Sequence, residues 1–133
     1  MHLETEEGED IENPSDDQVR QAVRGLGKES GTFAILTRRE EPLEYIQTTG
    51  EEDAFVVEYH ENDRHFRAVD SNLALEKTEA LLLAYNRGSD AWCKMTAWED
   101  VTEKSKGGKW TARIIIAVIV LIILVAVAVK FLT

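Results

Sequence analysis

Sixteen consecutive apolar residues, Ile114 to Val129, restrict what this chain can become more than any other feature. Eleven of the sixteen are Ile or Val, the rest are Ala and Leu, and Arg113 and Lys130 bracket them. The run holds no charge, no Pro, no Gly and no polar stripe that could face water, so it does not read as a surface helix. A helix rises about 1.5 Å per residue and a bilayer core is about 30 Å thick. The run alone reaches roughly 24 Å. With Thr111, Ala112, Phe131 and Leu132 added, and Arg113 and Lys130 snorkelling outward, it reaches about 30 Å. Trp110 then sits at one membrane interface and Phe131 near the other. The pattern predicts a transmembrane helix over residues 110–132, a tail anchor in the lipid bilayer flanked by Trp110, Arg113 and Lys130. It offers no ion path and no Gly-xxx-Gly pairing motif, which removes transport.

Positive charge sets the expected orientation. Lys104, Lys106, Lys109 and Arg113 precede the run and Lys130 alone follows it. The positive-inside tendency keeps residues 1–109 in the cytoplasm, against the inner membrane if the cell is bacterial. The opening residues Met1 to Glu7 are acidic and lack an apolar run, so they do not read as a signal peptide. Insertion is then expected after synthesis or at its end.

The net charge of −10 hides an asymmetry. Residues 1–100 carry 24 acidic and 10 basic side chains, whereas residues 101–133 carry 1 and 5. An acidic head on a basic stem is disfavoured as a nucleic-acid binder and is compatible with a basic protein partner. The single cysteine, Cys93, excludes an intrachain disulfide framework and a Cys-based zinc site.

Residues 1–12 hold six acidic groups and are expected to be disordered. Ser15 and Gln18 have the spacing of a capping box, and Val19, Ala22, Val23 and Leu26 follow as an apolar stripe ended by Gly25 or Gly27. Four alternating runs come next: Thr32–Thr37, Leu43–Thr49, Ala54–His60 and His65–Val69. Arg38 to Pro42 and Gly50-Glu51-Glu52 read as the turns between them. In the last hairpin, a turn at Asn62-Asp63 sets Glu61 opposite Arg64, His60 opposite His65, Tyr59 opposite Phe66 and Glu58 opposite Arg67. One face of that hairpin is then apolar and the other carries Glu58, His60, His65 and Arg67. A second helix spans Leu73 to Arg87, with Leu75, Thr78, Leu81, Leu82 and Tyr85 inward and Gly88 at its end. Cys93–Trp98 reads as a fifth strand.

These elements predict an α+β fold: a four- to five-stranded antiparallel sheet packed by two helices in the order α-β-β-β-β-α, followed by the transmembrane helix. The domains are an acidic tail (1–12), a cytoplasmic α+β domain (13–100), a flexible linker (101–109) and the anchor (110–132).

Little in the chain asks for catalysis. Glu58, His60 and His65 could hold zinc, but a flat sheet does not make them converge and Arg67 competes for Glu58. The plainer reading is an exposed hairpin face with a Glu58–Arg67 ion pair. Ser30, Ser71, Ser89 and Cys93 lack an activating context, and Cys93 reads as a small core residue. The glycines match no phosphate loop and the acidic turns lack calcium-loop spacing. No catalytic residue, metal ligand or cofactor is therefore assigned. Trp92 and Trp98, with Tyr85 before them, read either as core packing or as an aromatic binding patch. The candidate partner-binding residues are Glu58, His60, His65, Arg67, Trp92 and Trp98.

The stretches Tyr45-Ile46-Gln47, Phe55 to Tyr59, His65 to Ala68, Leu81 to Trp92 and Trp98-Glu99 together resemble small bacterial α+β proteins of the immunity-protein type. The resemblance covers residues 13–100. It implies a domain that neutralises a toxin by binding it, without catalysis. The leading expectation is thus a non-enzymatic, tail-anchored protein whose cytoplasmic head binds a protein partner. An immunity protein acting by occlusion and a small hydrolase or metal-dependent enzyme are the alternatives.

Overall fold

The structure is a computed structural model that describes residues 1–8 and 10–105. The chain divides into two units, Met1–Thr102 and Glu103–Thr133. The predicted transmembrane helix at 110–132, with Trp110, Arg113 and Lys130, lies outside the described residues. Among those described, no helix is long and apolar enough to cross a membrane.

The first unit is an α+β fold whose sheet has seven antiparallel strands. In chain order these are β1 (His2–Thr5), β2 (Ile11–Glu12), β3 (Phe33–Glu40), β4 (Leu43–Glu51), β5 (Ala54–Glu61), β6 (Arg64–Ala68) and β7 (Trp98–Asp100). Across the sheet they run β2-β1-β3-β4-β5-β6-β7. Three helices belong to this unit: α1 (Asp16–Arg24), α2 (Leu75–Asn86) and the single turn α3 (Trp92–Met95). A further turn, α4 (Thr102–Ser105), begins at its end.

The two longer helices follow their sequence signals. Ser15 Oγ accepts the Gln18 backbone N–H at 3.2 Å and Gln18 Oε1 accepts that of Ser15 at 2.9 Å, a reciprocal cap that starts α1. Val19, Ala22, Val23 and Leu26 are buried beneath it. The buried side of α2 includes Thr78, Leu81, Leu82 and Tyr85. Leu73 stands before α2 and bonds through its backbone to Phe55 instead. Val19, Val23, Leu81 and Leu82 join Leu3, Leu36, Ile46, Val57 and Ala68 of the sheet in one hydrophobic core.

The β5–β6 hairpin has the expected register: Glu58 opposes Arg67, Tyr59 Phe66, His60 His65 and Glu61 Arg64. Asn62 and Asp63 both take positive φ, 53° and 58°, as the two-residue turn needs. Elsewhere the strands run longer than expected. β3 continues through Arg38 and Arg39, so the charged turn shrinks to Glu41-Pro42. The register shifts between Thr37 and Arg39, and this irregularity sends Arg38 over the Tyr85 ring, 4.1 Å from its centroid.

The N-terminus departs most from expectation. Residues 1–12, expected to be disordered, contribute β1 and β2, so the sheet has seven strands and not four or five. β1 pairs residue by residue with Ala34–Thr37 of β3 and buries Leu3 to 2% exposure. Edge pairing uses the backbone and needs only one inward apolar side chain, so acidic composition does not exclude it. The segment expected as a fifth strand, Cys93–Trp98, is also different. Trp92 and Met95 turn inward at helical spacing in α3, and the strand starts only at Trp98. Val101, expected to open the linker, is instead 4% exposed, and its N–H bonds the His65 carbonyl at 2.8 Å; residues 106–109 of that expected linker lie outside the described residues.

Candidate functional site

Strand alternation splits the candidate partner-binding residues between the two faces of the sheet. Trp92 and Trp98 lie with Tyr59 and Phe66 on the side that carries the helices. Glu58, His60, His65 and Arg67 lie on the other.

On the helix side, an aromatic cluster joins the sheet to the end of α2. Tyr59 stacks on Phe66 at 4.6 Å and receives Trp92 and Trp98 edge-on at 4.6 and 4.8 Å. Tyr85 meets Trp92 at 5.3 Å. Trp92 is a core residue and Trp98 is half-buried. Neither indole N–H has a hydrogen-bond partner among the described residues, so shape and quadrupole contacts hold this cluster. Burial, with the charges of Cys93, Glu61 and Asp100, pushes the Tyr59 phenol up to about 12. Cys93 does not join the core as expected: it points outward from α3 while Trp92 points in. Burial and the nearby Glu61 and Asp90 carboxylates push its thiol up, which disfavours the thiolate that nucleophilic chemistry requires.

The opposite face carries a connected polar network. The Glu58 carboxylate accepts from His65 Nε2 at 2.8 Å and from Arg67 Nε at 2.9 Å. Its burial raises the carboxyl, but the hydrogen bonds and charges of His65 and Arg67 outweigh that and hold it below the usual carboxylate range. The Tyr45 hydroxyl lies 3.5 Å from His65 Nδ1, and the His60 ring stacks on Tyr45 at 5.5 Å with 5° between planes. His60 Nδ1 donates to the Leu43 carbonyl at 3.0 Å. Glu58 and His65 are only 4% and 3% exposed, so this is not the open hairpin face the alternation suggested. His60 is half-buried, and the Arg67 side chain keeps 41% of its surface in contact with solvent.

The zinc geometry does not form. His65 Nε2 is committed to Glu58, His60 Nδ1 to Leu43, and the two imidazole centroids stand 6.4 Å apart. Among the described residues no group of three or more His, Cys, Asp or Glu side chains is placed to hold a metal ion.

The surface charge is lopsided in a way that composition alone does not convey. All seven arginines of the described residues lie within 4.0 Å of a carboxylate: Arg20 with Asp17, Arg24 with Glu79, Arg38 with Asp90, Arg39 with Glu44, Arg64 with Asp100, Arg67 with Glu58 and Arg87 with Asp16. Each guanidinium is thereby neutralised locally, and the excess carboxylates dominate the field.

Comparison with protein-family models, with curated proteins and with solved structures gives no match to this chain.

Proposed function

We propose that this chain is a non-enzymatic, single-pass membrane protein whose acidic α+β head binds a protein partner at the cytoplasmic side of the membrane. The observation that carries the reading is the apolar run Ile114–Val129, which has no polar face. The charge of the head supports it. Its arginines are all occupied by its own carboxylates, which leaves a surface suited to a basic partner. The anchor acts by raising the local concentration of the head near partners that sit on or reach the membrane. Occlusion of a basic toxin surface by an immunity protein is the version of this reading that the resemblance suggests, and the acidity of the head favours it.

The partner-binding half is testable at Cys93, the chain's single cysteine, which is exposed beside the aromatic cluster. A photo-cross-linker attached there should give a discrete protein adduct in membranes, absent in Cys93→Ser. If no adduct forms from Cys93, nor from a cysteine introduced by His60→Cys on the opposite face, the head is not a binding module.

A further inference from the structure

Hydrogen-bond partners assign the tautomers of the two cross-strand histidines. Glu58 is held ionised and can only accept, so the proton between it and His65 lies on Nε2. The Leu43 carbonyl can only accept, so His60 carries its proton on Nδ1. The neutral rings are therefore opposite tautomers, with the free lone pair on Nδ1 of His65 and on Nε2 of His60.

Tyr45 stands between them. Its ring stacks on His60 and its hydroxyl meets the free Nδ1 of His65. Burial, with the charge of Glu58, pushes the phenol well above its ordinary value, so Tyr45 keeps its proton and donates it to Nδ1. A proton taken from solvent by His65 can only go to Nδ1. That nitrogen then becomes a donor, and the Tyr45 oxygen must turn from donor to acceptor.

We propose that Glu58, His65 and Tyr45 form a proton switch, in which a proton taken up at His65 Nδ1 reverses the Tyr45 hydrogen bond. Among the described residues, the charged and titratable groups facing His65 are Glu58 and His60 from β5, Tyr45 from β4, Arg67 from its own strand and, opposite Arg67 on β7, Glu99. The ionised Glu58 and Arg67 offset each other. A proton on His65 therefore places one net positive charge in the network, 6.4 Å from the His60 ring centroid. The device adds a pH-dependent cation to a head that is otherwise acidic.

Nuclear magnetic resonance of the full chain in micelles, with labelled His and Tyr side chains, tests this over about pH 4.5 to 8.5, a span that brackets ordinary imidazole titration. At high pH the carbon and nitrogen shifts should report the Nε2–H tautomer for His65 and the Nδ1–H tautomer for His60. On acidification the Tyr45 Cζ resonance should follow the His65 protonation curve while those of Tyr59 and Tyr85 do not. A Tyr45 resonance that stays flat through the His65 step, or a His65 ring protonated on Nδ1 in its neutral form, overturns the proposal without recourse to any variant.

Discussion

Asp53, at the tip of the β4–β5 turn, caps helix α2: its Oδ1 accepts the Leu75 backbone N–H at 2.9 Å. The helix lacks a side-chain cap of its own, because Ala74 occupies the N-cap position. The first turn of a helix leaves its N–H groups unpaired unless an acceptor is supplied, and here a residue 22 positions earlier supplies it. Asp53→Ala should cost about 1 kcal/mol, as loss of an N-cap does. Hydrogen exchange at the first turn of α2 should quicken more than exchange in α1. Equal change in both helices would contradict the cap.

The Glu58 network makes stability depend on pH in a defined direction. The folded carboxyl sits below its ordinary value of 4.5 because the pull of His65 and Arg67 exceeds the opposing cost of burial. The unfolded chain therefore binds the proton more readily. The stabilisation is complete above about pH 4.5 and is lost as pH falls from there through the folded value. Glu58→Gln should lose roughly 1–3 kcal/mol at neutral pH, the range for a buried polar partner left unanswered. That loss should shrink as pH falls below 4.5. Urea unfolding of both proteins at pH 7 and at about pH 3.5 measures it, and a loss of equal size at the two values would contradict the account.

His2 acts in the opposite direction at the edge of the sheet. Burial lowers its affinity for the proton, but the hydrogen bond and charge of Glu12, with Asp10 and Glu4, more than offset this and raise it above 6.5. Nδ1 faces Glu12 and Nε2 faces Asp10, an arrangement that only the doubly protonated ring satisfies. Its contribution is present below 6.5 and disappears as pH rises through the raised folded value. Protection factors for the His2–Thr5 amides should therefore fall between about pH 6 and pH 8.5, and His2→Gln should abolish that dependence. A wild-type profile as flat as the variant's would count against the clasp.

The parts of the fold that were legible in the sequence are those set by local chemistry. Ser15 and Gln18 announced a cap that is present, and Asn62-Asp63 announced a turn from which the pairing of Glu58 with Arg67 and of His60 with His65 followed. The hidden parts depend on distant contacts. β1 exists because the edge of β3 offers it a backbone partner, and nothing in six acidic residues among the first twelve signals that. Cys93 turned out exposed because Trp92 and Met95, three apart, take the inward positions of a helical turn that reads equally well as a strand. Placing Glu58 and His65 opposite Arg67 and His60 was within reach of alternation. Their burial was not, since it depends on Tyr45, a strand away, and on how the side chains of that face shield one another.

Carbonate extraction of cell membranes separates an integral anchor from a peripheral attachment, and so tests whether residues 110–132 hold the acidic head in a membrane as proposed. The full chain should remain in the membrane pellet after alkaline carbonate treatment, while a version ending at Lys104 should be released to the supernatant. Recovery of both in the supernatant would contradict the anchor and, with it, the proposed site of action.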